Sequence, residues 1–111
     1  MSGLEGGRIV VPDAWRIAAG DGFCDAVASA VEVRASRRKA YGDEYLHDEL
    51  TFLALQVQNK AKRVRMMVEY DGCDETVTDE AVALDSLRDI ICYAAFAIDK
   101  IKTMRARRTG A

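Results

Sequence analysis

A chain of 111 residues, half of them hydrophobic and 31% charged, has the size of one domain, and its composition excludes disorder as the default state. Its formal charge of −2 gives no overall electrostatic case for nucleic acid, and no apolar run approaches the roughly 18 residues of a membrane span. Three widely spaced cysteines with no Cys-x-x-Cys pair read as reduced thiols, and no charged-then-apolar start marks a signal peptide, so a cytoplasmic location is expected.

One proline, with many Ala, Leu, Arg, Glu and Lys residues, favours helices over strands. The pattern predicts an all-α fold, with an arm over residues 1–20, a helical domain over 21–108 and a tail at 109–111. Residues 1–7 are Gly-rich and read as mobile. Arg8 to Val11 read as extended, and Pro12-Asp13-Ala14-Trp15 as a brief helical turn broken at Gly20-Asp21-Gly22. The first full helix is expected from Asp21, as N-cap, to Tyr41, with Phe23, Ala26, Val27, Ala30, Val33 and Tyr41 facing inward and Gly42 as its stop. Asp43 to Asp48 form a polar connection.

A second helix is expected over Asp48 to Tyr70, with Leu50, Leu53, Val57, Ala61, Val64 and Val68 on its inner face. Phe52, Leu55 and Met66 make a second apolar strip, and Glu49, Gln56, Lys60 and Arg63 a polar line between the two. Asp71 to Thr78 read as an acidic, solvated loop without the Asp-x-Asp-x-Asp-Gly spacing of a calcium loop. Asp79 or Thr78 caps a third helix that runs to about Arg107, where basic residues suit the helix dipole.

In that last helix Leu84, Leu87, Ile91, Ala94, Ile98 and Ile101 recur at 3-4-3-4-3 spacing, which reads as the core-facing seam. At roughly 100° per residue, Asp85 and Asp89 project about 150–170° from the centre of that seam. Their neighbours Cys92, Tyr93 and Phe96 suit a pocket better than a wetted face, and two acids one turn apart can hold a divalent metal. Helices with apolar residues on two sides call for a second copy. The expected architecture is a helical hairpin plus an N-terminal helix, its four-helix-type core completed in a homo-oligomer, most simply a dimer.

Tyr41-Gly42-Asp43-Glu44-Tyr45, then Lys60-Ala61-Lys62-Arg63, then Asp85-Ser86-Leu87-Arg88-Asp89-Ile90-Ile91-Cys92-Tyr93 carry a resemblance over residues 37–101. They are similar to the nucleotide-modification-associated domains of phage and bacterial proteins, which belong with the all-α, MazG-like nucleoside triphosphate pyrophosphohydrolases. The resemblance implies hydrolysis of a nucleoside triphosphate to monophosphate and pyrophosphate with Mg2+, or Mn2+ in its place. It implies Asp85 and Asp89 as ligands and catalytic groups, with Glu49 adding a carboxylate from the adjacent helix. Lys60, Arg63 and Gln56 would contact the nucleotide, and Tyr41 or Tyr93 would stack on a base or ribose. In a phage setting the enzyme would adjust nucleotide pools in the host cytoplasm. The characterised enzymes carry Glu-x-x-Glu and Glu-x-x-Asp, whereas here the four-residue frame ending at Asp89 begins with Ser86 and the frame beginning with Glu49 ends at Phe52.

Plainer roles compete at every position. Asp85 can pair with Arg88 at i,i+3, Lys60 and Arg63 can simply be solvated, and Glu49 can complement a helix N-terminus. Tyr41 and Tyr93 can be packing residues, and His47 a surface side chain. The cluster Arg34, Arg37, Arg38 and Lys39 and the basic tail lack the aromatic interleaving of a nucleic-acid site. The competing function is a non-enzymatic helical protein that binds a nucleotide signal or a host protein.

Overall fold

The computed structural model describes residues 4–5 and 8–110. The expectation of a mobile start over residues 1–7 lies outside them, apart from Leu4 and Glu5, as does Ala111 of the tail. The protein is all-α apart from two short antiparallel ribbons, and it forms two compact units, Met1–Asp43 and Glu44–Ala111. Among the described residues no helix is long and apolar enough to cross a membrane.

In the first unit β1 (Leu4–Glu5) pairs with β2 (Arg8–Ile9), placing Leu4 opposite Ile9. Helix α1 (Asp13–Ala19) follows Pro12, and Gly20, at φ 93°, breaks the chain before α2 (Asp21–Tyr41). That φ lies in the region that favours glycine, so the break is written into the sequence. Val11 packs on Cys24 and Ala28, with Ile9 against the cluster. The Ile9 amide donates to Glu32 Oε1 at 3.2 Å, and Arg16 bridges to Asp25 at 2.9 Å and to Asp21 at 3.4 Å.

The inward face of α2 is as expected at Ala30, which is buried, and at Val27 and Val33, which are half-buried. Phe23 and Tyr41, at 65% and 68%, and Ala26 are exposed, while Cys24 and Ala28 are buried in their place. The small side chains let the extended segment lie close on the helix, which a bulkier Phe would prevent. Phe23 instead borders an open apolar groove of about 590 Å³ with Trp15, Val27 and Val31. Asp21 is the first helical residue, and Gly20 takes the cap position without a side-chain bond. Beyond Tyr41, Gly42 adopts φ 59° and ψ −137°, its carbonyl accepting from Arg34 at 2.9 Å. Arg34 and Arg38 also hold Asp43, at 2.7 and 3.1 Å, so two members of the basic cluster serve the helix end.

In the second unit a 3-10 turn (Glu44–His47) leads into α3 (Leu50–Met67). The expected solvated loop is a hairpin of β3 (Val68–Asp71) and β4 (Asp74–Val77), with Val68 opposite Val77 and Tyr70 opposite Glu75. Gly72, at φ 67°, opens its two-residue turn, and Val, Tyr and Thr side chains supply strand propensity despite the acids. Helix α3 therefore stops three residues before Tyr70. Helix α4 (Glu80–Arg108) starts where Asp79 Oδ1 accepts from the Val82 amide at 3.1 Å.

Helices α3 and α4 run antiparallel and pack along their length. On the expected second helix the inward line is much as expected, with Leu53 fully buried and Leu50, Val57, Val64 and Val68 half-buried, although Val68 belongs to β3 and Lys60 takes the inner place given to Ala61. On α4 the expected seam is half-buried in its middle, at Ile91 and Ala94, and exposed at both ends. Leu84, Leu87, Ile98 and Ile101 are 41%, 43%, 56% and 45% exposed, and Ala83, Ser86 and Cys92 are the buried residues. Asp89, Ile90, Tyr93, Phe96 and Lys100 continue the half-buried side. The two ends of the apolar seam thus point away from the hairpin partner, and the side bearing Asp89 points toward it. The strip of Cys92, Tyr93 and Phe96 is consequently not an outer surface, whereas Phe52, Leu55 and Met66 of α3 remain exposed at 43%, 46% and 73%.

Candidate functional site

The antiparallel register sets which polar side chains meet. Lys60 on α3 reaches Asp89 on α4, with Nζ 3.1 Å from Oδ2, and both side chains are largely covered, at 20% and 13% exposure. An ion pair in such a setting is screened far less than one on the surface. One turn toward the N-terminus of α4, Asp85 stands 74% exposed and receives Arg88 Nη1 at 3.4 Å, the i,i+3 contact. One turn further along α3, Arg63 is exposed and comes level with Asp85 and Ser86. With Asn59, Lys62, Met66 and Met67 it borders a shallow depression of about 400 Å³.

Lys60, Arg63, Asp85 and Asp89 are thus gathered on one half of the hairpin. Gln56, half-buried, lies one turn before Lys60, at the level of Tyr93, whose ring meets Phe96 edge-on with centroids 6.0 Å apart. Glu49 is not gathered. It is the N-cap of α3, eleven residues before Lys60, which is about 16 Å along a helix axis. The hairpin reverses direction, so Glu49 comes level with Lys100, at the far end from Asp85. Tyr41 belongs to the first unit, where its ring is exposed. His47 ends the 3-10 turn and is exposed.

At that far end lies a second polar cluster, absent from the sequence-based expectations. The ring of Tyr45 stacks on Phe96 with centroids 4.1 Å apart and planes 9° from parallel, and its hydroxyl donates to Asp99 Oδ2 at 2.7 Å. Lys100 Nζ donates to the carbonyl of Asp48 and, at 3.4 Å, to that of Leu46. An aromatic residue in an otherwise polar connection was the available signal, since a tyrosine there gains most by covering an apolar ring.

Among the described residues no group of three His, Cys, Asp or Glu side chains converges in metal-ligating geometry. The carboxylate donors on this half of the hairpin are Asp85 and Asp89, four residues apart and hence neighbours on the helix surface. Every buried side-chain nitrogen and oxygen among the described residues has a hydrogen-bonding partner. No protein-family model, curated protein or solved structure matches the chain.

Proposed function

We propose that the α3–α4 hairpin binds a nucleoside triphosphate together with magnesium and hydrolyses it to the monophosphate and pyrophosphate. The observation that supports this reading is the Lys60–Asp89 pair between the helices, an ammonium chemically suited to phosphate beside a carboxylate chemically suited to a metal. Oxygen donors fit magnesium, which keeps several waters and needs few protein carboxylates, and manganese accepts the same donors. Asp85 and Asp89 would hold the ion, which when bound would neutralise phosphate charge and make water a better nucleophile.

The other roles follow from side-chain chemistry. Lys60 offers a compact ammonium to phosphate oxygens, and Arg63, level with Asp85, offers a planar fork that grips two oxygens at once. Incoming phosphate would draw Lys60 from Asp89, and that carboxylate would then turn to the ion. Gln56 supplies an amide at the level of Tyr93, whose ring would stack on a ribose or base.

A second reading is favoured by the position of Glu49: a hairpin that binds a nucleotide signal or a host protein without hydrolysis. Two carboxylates, one already held by Lys60, make a weaker metal set than three.

The test is to incubate the protein with each common nucleoside triphosphate, with and without magnesium, and to measure pyrophosphate. Release that needs magnesium and is lost in Asp89→Asn supports the enzyme. Calorimetric binding of a non-hydrolysable triphosphate without turnover supports the second reading, and neither binding nor turnover overturns both.

A further inference from the structure

The outward side of α4 is the most ordered unexplained feature of the chain. Leu84, Leu87, Ile91, Ala94, Ile98 and Ile101 repeat at alternating steps of three and four; the four Leu and Ile side chains at its ends are 41–56% exposed, and Ile91 and Ala94 at its middle are half-buried. This is the a/d pattern of a coiled-coil seam, whose spacing fits another helix. The seam is about 26 Å long at 1.5 Å per residue.

We propose that two copies of this chain associate through this seam, their α4 helices running antiparallel about a two-fold axis between Ile91 and Ala94. Charge selects the direction. The start of α4 carries Asp79, Glu80 and Asp85, and its end carries Lys102, Arg105, Arg107 and Arg108. Antiparallel packing sets each acidic end beside the basic end of the other copy and opposes the two helix dipoles. Parallel packing would set acid on acid and base on base.

Register follows from symmetry. If Leu84 meets the partner's Ile101, then Leu87 meets the partner's Ile98 and Ile91 meets the partner's Ala94. All six seam residues are used, each a position facing a d position. The same alignment brings Glu80 beside the partner's Arg105. The flanking positions Arg88 and Lys102 then face the partner's Ala95 and Ala81, so no like charges meet across the seam. The interface is the reverse of the side holding Lys60 and Asp89, so association does not depend on the nucleotide reading.

Sedimentation equilibrium at micromolar concentration should give twice the 12.2 kDa chain mass. The double variant Leu87→Glu/Ile98→Glu should give the single mass with helical circular dichroism unchanged, because both positions are exposed within one copy. A wild-type monomer, or a dimer indifferent to this variant, overturns the proposal. If the double variant loses its helical signal, the charge pair decides. Glu80→Arg and Arg105→Glu should each weaken dimerisation about fivefold at low salt, and their combination should restore it. These residues are about 38 Å apart along one helix, so rescue can arise only between copies. Failure of rescue overturns the antiparallel arrangement.

Discussion

Lys60 and Asp89, twenty-nine positions apart in sequence, meet at 3.1 Å across the hairpin with most of each side chain covered. Removing either partner costs the other its ion pair while leaving it partly desolvated. Breaking a fully buried pair costs about 3–5 kcal/mol, and exposed pairs contribute about 0–1 kcal/mol. The intermediate burial places Lys60→Ala and Asp89→Ala near 1–2 kcal/mol. Urea denaturation of the two single variants and the double variant should give a coupling energy near 1 kcal/mol. Additive losses would show that the two groups do not stabilise one another.

Leu53 is the one large side chain among the described residues with no exposed surface. Leu53→Ala should therefore cost about 3–5 kcal/mol, as in well-packed cores, through lost transfer energy and the cavity left behind. Leu55→Ala, at a position 46% exposed, should cost well under half of that. Thermal denaturation followed by circular dichroism would rank the two.

Gly42 is predicted to resist replacement although the space around it is open. Its φ of 59° and ψ of −137° lie where an L side chain is strained. Gly42→Ala should destabilise by about 1–3 kcal/mol, measured by chemical denaturation. Gly22→Ala, also in open space but within α2, should be neutral or slightly stabilising.

Tyr45→Phe keeps the stacked ring and loses the bond to Asp99, so a loss of about 0.5–1 kcal/mol is expected. Tyr45→Ala should cost a further 0.5–1.5 kcal/mol or so for the aromatic pair, beyond the apolar area exposed. Hydrogen exchange at the start of α3 should quicken in the alanine variant alone.

Arg63→Ala is the sharpest test of phosphate binding. Its exposure predicts a change in folding stability within about 0.5 kcal/mol. Loss of a hydrogen bond to a charged phosphate predicts affinity weakened by about 1.5–3 kcal/mol in titration with a non-hydrolysable triphosphate. Equal affinity in both proteins would return Arg63 to the solvated surface.

What could be read in the sequence depended on how local the signal was. Asp21 to Tyr41, the stop at Gly42 and the cap at Asp79 are set by neighbours in the chain, and the structure places them as expected, with the first cap one residue earlier. The hairpin over 68–77 carried a signal in Asp71-Gly72, but the surrounding acids weigh against a strand and outvoted it. The outward ends of the α4 seam have a deeper cause. Periodicity reveals that Leu84 to Ile101 share a line, but it does not reveal which line meets α3. Small residues such as Ala83 and Ser86 win that place by letting the helices approach, a pairwise property invisible in one helix alone. The level of Glu49 relative to Asp89 likewise depends on where the chain turns back.

The bond between Lys60 and Asp89 also acts as a ratchet pin. Sliding α3 past α4 by one turn, about 5.4 Å, would move Lys60 off Asp89, to the level of Cys92 and Tyr93 in one direction and in the other to Asp85, whose 74% exposure makes it the weaker partner. Ala, Ser and Val contacts are nearly interchangeable under such a slip, whereas a charge is not. A seam of small side chains can choose its alignment by one electrostatic match, and any ligand that draws Lys60 away also loosens the setting of the two helices.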